Sequence, residues 1–476
     1  MDKRGVIVTV PDKRTAMLRE GNVQKTLLAL AIPSIIGMVV NGVYNIADTI
    51  FVGRISTSAI GAVSVVFPFF ILIAAIGIAV GMGAASYISR SLGRDNKEEA
   101  EHTAATAVGM VMLMGVIFAV LGQYWLEPLL GMFGATETIL PHAVAYAQAL
   151  VIGSPIIMLK MTLNNILRAE GSAHASMTAL VMGAVLNIIL DPLLIFTFNM
   201  GVLGASVATV LSQVVAVGYQ LWYFYSGRSY IRLSVAMFKP SKVIVTQIIK
   251  VGFPMFLTQC LNSVAMAMIN TAAMPYGDSA VAALGIVKRV MSLGMFAVFG
   301  YGQGFQPFAG FSYGAKKFER LTEAIRFSVK VTTGFTVGLA VLLILFSELV
   351  ISWFSNDPQV LQIGSHALMA YSIPFPLLGF QLVYFSLFQA LGKAVPAGIL
   401  SVSRQGLLLI PFVILLPRYI GLDGVIYAQP LADGLTVVMT LLLSVLINRE
   451  IRREMDEHQR QEERELLQTK TAQKLT

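Results

Sequence analysis

Apolar stretches of roughly 20 residues recur along this chain, and each is long enough to cross the roughly 30 Å hydrocarbon core of a bilayer as a helix. Only 13% of the 476 residues are charged, whereas soluble domains carry about 25% charged residues. Lipid offers no hydrogen-bond partner, so each backbone amide must bond within its own helix. The sequence therefore predicts an all-α membrane protein.

Twelve membrane-spanning helices follow from these stretches. The predicted spans lie near residues 26–51, 59–86, 104–122, 141–160, 175–197, 202–225, 246–272, 279–306, 325–347, 364–387, 396–417 and 422–447. The first stretch follows a basic tail but is too long for the apolar core of a signal peptide, so we expect it to be retained as a span.

Lys and Arg collect on alternate connections between the spans. They are frequent in both tails and in the central linker, whereas the opposite connections hold only Arg54 and Arg418. The positive-inside rule then predicts a multi-pass protein of the cytoplasmic (inner) membrane with both termini in the cytoplasm. The net charge of +8 becomes a topology signal and a surface for anionic lipid, so we expect no nucleic-acid partner.

The sequence repeats itself at an offset of 221 residues. Pro33 then falls on Pro254, and the paired glycines include Gly81 with Gly302. Such a long period indicates duplicated domains, and six spans per half make the two copies parallel. The predicted division is a cytoplasmic tail 1–25, an N-lobe 26–225, a cytoplasmic linker 226–245, a C-lobe 246–447 and a cytoplasmic tail 448–476. Gly-rich spans in both lobes are interpreted as sites of close helix packing.

Polar side chains line one face of three N-lobe spans. On the first span they are spaced i, i+3, i+4, i+7: Asn41, Tyr44, Asn45 and Asp48. On the fifth and sixth spans they are Asn187, Asp191, Ser206, Thr209 and Gln213. Counting along each span places Asp48, Asp191 and Thr209 in the outer half of the membrane. Ionisable groups at such depth are costly and therefore indicate function.

Two neighbouring carboxylates, Asp48 and Asp191, can hold and release a proton when they are buried together. Sodium would instead require several oxygen ligands, which Tyr44, Asn187 and Thr209 can supply. A structural alternative remains, in which Asp48 caps its helix or reaches the outer interface. For Asp191 this alternative has less support.

The C-lobe lacks this acidic cluster and carries other charges within its spans: Lys288, Arg289, Arg404 and Asp433. A pairing of Lys288 or Arg289 with Asp433 is predicted from their depth, with a structural or a functional role. Because the acidic cluster lies in the N-lobe and has no counterpart in the C-lobe, we predict that the N-lobe couples transport to the cation gradient. The single cysteine, Cys260, excludes an intramolecular disulfide, and the five histidines show no metal-ligand spacing.

The chain resembles the multidrug and toxic compound extrusion (MATE) family over about residues 25–447. The segments that carry the resemblance are LALAIPSIIGMVVNGVYNIADTIFVG from Leu28, GMGAASYISRSLGRDN from Gly81, LRAEG from Leu167, LNIILDPLLIF from Leu186 and GVLGASVAT from Gly201. The match is to the DinF-like branch, with a basic pair at Lys288 and Arg289 that is similar to MepA-like members.

This resemblance implies a MATE-type fold of two six-helix lobes that exports organic cations against a proton or sodium gradient. It implies a coupling site at Tyr44, Asp48, Asn187, Asp191 and Thr209, and a first helix that bends at Pro33. It places the drug cavity near Asn41 and Asn164, to which we add Asn45 and Gln213. The NorM-like branch uses a glutamate in the seventh helix, and this chain has none between Val251 and Met274.

Three functions are weighed. The first is a multidrug antiporter that works by alternating access, with proton coupling favoured over sodium. The second is a lipid-linked oligosaccharide flippase, which would use the basic residues of the C-lobe. The third is a membrane enzyme, but no metal motif, nucleophile elbow or phosphate loop is present, so we expect neither catalysis nor an organic cofactor. The expected partners are the bilayer and small cationic substrates, and we expect a monomer.

Overall fold

The structure, a computed structural model, describes residues 13–55, 57–133 and 135–475, and in this part of the chain it contains helices and turns but no strand. The helices are α1 Lys13–Glu20, α2 Val23–Gly53, α3 Thr57–Gly93, α4 Lys97–Met132, α5 Leu140–Ile152, α6 Ser154–Ala169, α7 Ala173–Pro192, α8 Gly201–Tyr225, α9 Lys242–Ala273, α10 Asp278–Gly314, α11 Phe318–Leu345, α12 Ser347–Ser352, α13 Pro358–Ser372, α14 Phe375–Ala390, α15 Ala394–Val402, α16 Ile410–Ile420 and α17 Leu422–Leu475. The all-α prediction is confirmed.

Ten of the described helices are long and apolar enough to cross a membrane, and the number reaches twelve if each of two bent pairs forms one span. Helices α5 and α6 meet at 52°, and α13 and α14 meet at 48°. Each bend is followed by a proline in the first helical turn, Pro155 in α6 and Pro376 in α14. Proline suits that position because its missing amide has no partner there anyway. These prolines are related by the 221-residue offset, so both repeats bend at the same place.

Helix α6 extends beyond the predicted end of the fourth span near residue 160. It continues to Ala169 and carries Lys160 and Arg168, two basic residues that hydropathy alone places in a connection. They are buried, with 3% and 7% of their surface exposed. Arg168 donates hydrogen bonds to Asn165 Oδ1 at 2.7 Å and to Ser176 Oγ at 3.2 Å. The charge of Arg168 is therefore buried within the protein and is paired with neighbouring polar groups.

Following the predicted division, we call helices α2–α8 the N-lobe and helices α9–α17 the C-lobe. The lobes touch where α3 of the N-lobe crosses α9 of the C-lobe. A side chain added at Gly83 would collide with the carbonyl of Ile248, and one added at Gly252 would collide with the carbonyl of Ala79. The two glycines therefore let the helix backbones touch, as small residues do between membrane helices.

A second interlobe crossing, between α10 and α2, is related to the first by the sequence repeat. A Cβ at Gly304 would lie 2.5 Å from Ala31 Cα, and one at Gly300 would lie 2.5 Å from Ile35 Cα. The predicted packing role of the glycines is thus confirmed. The repeat exchanges the two crossings, because it relates α2 to α9 and α3 to α10.

We call the end of the bundle where α2 begins and α8 ends the terminal face, and the opposite end the far face. At the terminal face, α1 connects the two lobes. Its Arg19 forms an ion pair with Asp95 of the N-lobe. From the C-lobe, Lys317 Nζ donates to Arg19 O at 2.9 Å, and Arg320 Nη2 donates to Gly21 O at 2.7 Å. The lobes are therefore held together at this face.

The connection between the lobes is attached to the N-lobe. The Glu170 carboxylate accepts hydrogen bonds from the backbone amides of Tyr230 and Ile231, both at 3.0 Å. Glu101 Oε1 accepts a further bond from the amide of Arg232 at 3.0 Å. Glu170 belongs to the LRAEG segment, so this segment holds the linker in place.

Candidate functional site

The polar residues of α7 and α8 meet in the interior of the N-lobe. Asn187 Nδ2 donates to Asp191 Oδ1 at 3.2 Å, one helical turn away, and to Thr209 Oγ1 of α8 at 3.3 Å. All three residues are buried, and Asp191 has 0% of its surface exposed. A single amide therefore links the carboxylate of one helix to the hydroxyl of the next.

Helix α2 supplies the other side of this cluster. The carboxyls of Asp48 and Asp191 lie within hydrogen-bonding reach of each other, and the Tyr44 hydroxyl interacts with the Thr209 side chain. Asp48 is half-buried. The structure thus brings together the five residues for which a coupling role is predicted. The i, i+4 spacing on α2 turns Tyr44 and Asp48 toward the same neighbours.

Three buried acceptor oxygens of this cluster have no hydrogen-bond partner in the described part of the chain. They are Asp48 Oδ1, Asn187 Oδ1 and Asp191 Oδ2. Buried polar atoms are normally paired, and unpaired acceptors are costly in a low-dielectric interior. A proton on one carboxyl, or a small cation between the oxygens, would satisfy them. This chemistry suits a reversible cation site.

The residues described contain no group of three or more His, Cys, Asp or Glu side chains that could hold a metal ion. With two carboxylates and neutral oxygens, the cluster offers a weak, oxygen-only ligand set. Such a set can hold a proton or a small hard cation.

Tyr146 of α5 was missed by the sequence analysis. This buried residue lies within electrostatic reach of Asp48, Tyr44 and Asp191. Its depth in the fourth span was available from the sequence, because Tyr146 lies early in a span that begins at the far face. Applying the depth count used for Thr209 to this span would have placed Tyr146 beside the cluster.

The predicted drug-cavity residues occupy different places. Gln213 lies one turn from Thr209 on α8, and its buried Oε1 has no partner in the described structure. Asn41 is half-buried on α2 and its carbonyl accepts a bond from the exposed Asn45 at 2.6 Å. The Asn164 amide bonds with Arg168 and Ser176. A cavity role for these four residues stays a prediction.

Helix α2 is continuous through Pro33. Ser34 Oγ donates to Leu30 O at 2.9 Å, which occupies a carbonyl in the turn before the proline. Proline removes one backbone bond and leaves a point at which a helix can bend. The bending role of Pro33 stays a prediction.

In the C-lobe the predicted partner of Asp433 is wrong. Arg404 Nε donates to Asp433 Oδ1 at 2.8 Å, and Gln429 Nε2 donates to the same oxygen at 2.8 Å. Lys288 lies only within electrostatic reach of this pair, and Arg289 is exposed. A π-helical segment, Ser403–Leu409, carries Arg404. Its altered helical register was not visible in the sequence.

A family model described as MatE matches two segments of the chain, residues 33–193 and 254–415. The two segments begin 221 residues apart, which is the offset of the internal repeat. The chain is 27% identical over 435 residues to the multidrug export protein MepA of Staphylococcus saprophyticus, covering 91% of this chain and 96% of that protein. It is 25% identical over 442 residues to MepA of Staphylococcus aureus, with the same coverage.

The fold is similar to solved structures over nearly its whole length. One is described as the outward-facing conformation of a multidrug resistance MATE family transporter of the MOP superfamily, with a TM-score of 0.89, 28% identity and coverage of 94% of this chain and 100% of that one. Another is described as MATE in the straight conformation, with a TM-score of 0.88, 29% identity and coverage of 93% and 99%.

Proposed function

The chain belongs to the MatE family, and on this basis we propose that it is a secondary active multidrug exporter, which exchanges organic cations for protons across the cell membrane by alternating access. The relatives that cover nine-tenths of the chain are described as multidrug export proteins. Transport needs no chemical turnover of the substrate. Because the two lobes complete their interface within one chain, we expect a monomer.

The acidic cluster of the N-lobe carries this proposal. Two carboxylates within reach of each other and three unpaired oxygens form a site that gains free energy when a proton or a cation enters. Substrate cations are attracted to the same negative charge. Proton and substrate therefore disfavour each other's binding, which is the linkage that an antiporter requires.

The conformational part of the cycle is assigned to α2. This helix carries Asp48 and Tyr44, contains Pro33 and forms one of the two interlobe crossings. Protonation of the cluster changes the contacts of α2 with α7 and α8 and biases the helix toward a bent form. A cation can shift this equilibrium only by its differential affinity for the two forms.

The flippase alternative has less support. A carrier of pyrophosphate-linked lipid would use several basic groups in its cavity, whereas Arg404 is already paired with Asp433. The curated relatives are also described as multidrug exporters.

The test is efflux of a fluorescent organic cation from proteoliposomes under a pH gradient or a sodium gradient, imposed separately. We expect the pH gradient to drive efflux, and Asp48→Asn and Asp191→Asn to abolish it. The matched control is Asp278→Asn, which neutralises an exposed acid at the start of α10 and should leave efflux unchanged.

If only the sodium gradient drives efflux, the coupling ion is sodium instead of the proton, and the proposed site is unchanged. If gradient-driven efflux persists in both Asp48→Asn and Asp191→Asn, the cluster does not couple efflux to the gradient. Transport of lipid-linked sugar in the absence of cation efflux would favour the flippase.

A further inference from the structure

A cleft of about 570 Å³ lies at the terminal face, between the start of α11 and the part of α17 that follows the predicted last span. Its apolar groups, Phe327 and Met455, pack against the core. Three acidic and three basic side chains also line it: Glu319, Glu323, Arg326, Lys330, Arg452 and Asp456. The cleft is separate from the acidic cluster, which lies in the other lobe.

The charged residues of the cleft occupy one face of each helix. On α11 they are spaced i, i+4, i+7, i+11, and on α17 the two residues are spaced i, i+4. Residues at these spacings lie on the same side of a helix. The two charged faces therefore border one cleft.

Both helices order their charges in the same way relative to the membrane. Helix α11 enters the membrane from the terminal face, so Glu323 lies farther out than Arg326. Helix α17 runs in the opposite direction, so Asp456 lies farther out than Arg452. At a rise of about 1.5 Å per residue, the acids form a layer roughly 5 Å outside the layer of bases.

The six charged groups are exposed, and none forms an ion pair or a side-chain hydrogen bond within the described part of the chain. Their grouping by sign is unfavourable, because Glu319 and Glu323 are like charges one turn apart, as are Arg326 and Lys330. A ligand that is negative on the membrane side and positive on the outer side would offset both repulsions.

The same helix faces continue into the membrane as exposed apolar surface. Val337 lies seven residues after Lys330 on α11 and is 42% exposed, and Val445 lies seven residues before Arg452 on α17 and is 48% exposed. Seven residues make about two helical turns, so these side chains lie on the membrane side of the bases. Acyl chains can pack there, which favours a lipid over a soluble phosphate compound.

We propose that this cleft binds the headgroup of an aminophospholipid such as phosphatidylethanolamine. The phosphate accepts hydrogen bonds from Arg326, Lys330 and Arg452. The primary ammonium, two carbons beyond the phosphate ester oxygen, donates to Glu323 and Asp456. A headgroup without a cation would leave the acids of the cleft uncompensated. The site does not depend on the proposed transport activity.

The test is native mass spectrometry of the purified full-length chain in detergent. Phosphatidylethanolamine, phosphatidylcholine and phosphatidylglycerol with identical acyl chains are added in equal amounts. Phosphatidylcholine keeps the positive charge but has no N–H donor, and phosphatidylglycerol has no cation. We expect phosphatidylethanolamine to be retained about threefold or more above each of the others, a ratio within the range that exposed ion pairs provide.

Two double variants separate the layers of the cleft. Glu323→Gln with Asp456→Asn should abolish the preference for phosphatidylethanolamine over phosphatidylglycerol, because the ammonium loses its acceptors and the anionic lipid is no longer repelled. Lys330→Gln with Arg452→Gln should lower the retention of all three lipids by about threefold or more, because all three carry the phosphate.

The matched controls are Glu463→Gln and Arg460→Gln, which neutralise exposed charges farther along α17 and should leave the retention of each lipid unchanged. Equal retention of the three lipids by the wild-type chain would overturn the proposal. It would also be overturned if the double acid variant kept the original preference, or if the double base variant retained phosphatidylethanolamine as the wild type does.

Discussion

Asp48 and Asp191 differ in their surroundings although they share one cluster. Asp191 is fully buried on α7 and accepts one bond from Asn187, whereas Asp48 is half-buried on α2. Each keeps a buried oxygen without a donor. These unpaired oxygens lower the stability of the folded protein, but they remain available to bind a cation. Functional sites commonly sacrifice stability in this way.

Replacing Asp191 by Asn should therefore stabilise the folded protein. The new amide keeps an acceptor for Asn187 and adds a donor that faces Asp48. We expect a gain of about 1 kcal/mol, the usual net contribution of a hydrogen bond, measured as a higher unfolding midpoint in detergent. Thr209→Ala, which removes an acceptor used by Asn187, should lower the midpoint. A loss of stability in Asp191→Asn would show that the acid itself holds the cluster together.

At the scale of helices, the interlobe crossings rest on glycine. Gly304→Ala would place its Cβ 2.5 Å from Ala31 Cα, so α2 and α10 must separate. We expect a loss of about 1–3 kcal/mol, the usual cost of overpacking. The matched control is Gly338→Ala in α11, where nothing lies within 4 Å of the added carbon.

In that exposed helix position alanine should be neutral or stabilising by up to about 1 kcal/mol, because glycine is a poor helix former. Chaotrope unfolding in detergent micelles compares the two variants. If both variants shift the midpoint in the same direction, the crossing is not the point of close contact that the backbone distances indicate.

The apolar stretches were sufficient to predict the helical class and most spans, and residue identities at a fixed offset predicted the repeat. Hydropathy did not show where a helix bends. Between α5 and α6, which together cover the predicted fourth span, the chain turns by 52°. The NNILRA end of α6 is polar in composition but buried, because Arg168 is satisfied by neighbouring side chains. Composition alone cannot distinguish such a segment from a loop.

Within the candidate site, prediction was accurate where helical spacing alone decides which residues meet. The i, i+4 pairs Tyr44 with Asp48 and Asn187 with Asp191 are examples. It failed for the partner of Asp433, because a π-helical turn changes the direction of Arg404. A change of register by a fraction of a turn leaves no mark in the hydrophobic pattern.

At the scale of the whole molecule, α1 contacts both lobes at the terminal face. If alternating access separates the lobes at this face, the contacts of α1 must break. Arg320→Gln removes the donor to Gly21 O and to Leu18 O. We therefore expect this variant to populate states in which the terminal ends of the lobes lie several ångströms farther apart.

Spin labels report this distance. Cys260→Ser removes the single native thiol, and Glu98→Cys with Glu319→Cys places exposed labels at repeat-related positions of the two lobes. Double electron–electron resonance should show a longer and broader distance distribution in Arg320→Gln. Arg326→Gln, an exposed cation further along α11, serves as control. An unchanged distribution in Arg320→Gln would mean that α1 does not restrain the lobes.

Because both repeats lie in one chain, the sequences of the two halves can diverge from each other. A symmetric dimer of one half would carry the same side chain at both related positions, since symmetry makes its two sites identical. A tandem gene removes this identity, so Gly183 can remain in one half while Arg404 arises in the other. Duplication thereby permits a division of labour between the halves. The interlobe crossings stay under shared constraint, because both halves contribute backbone to each of them.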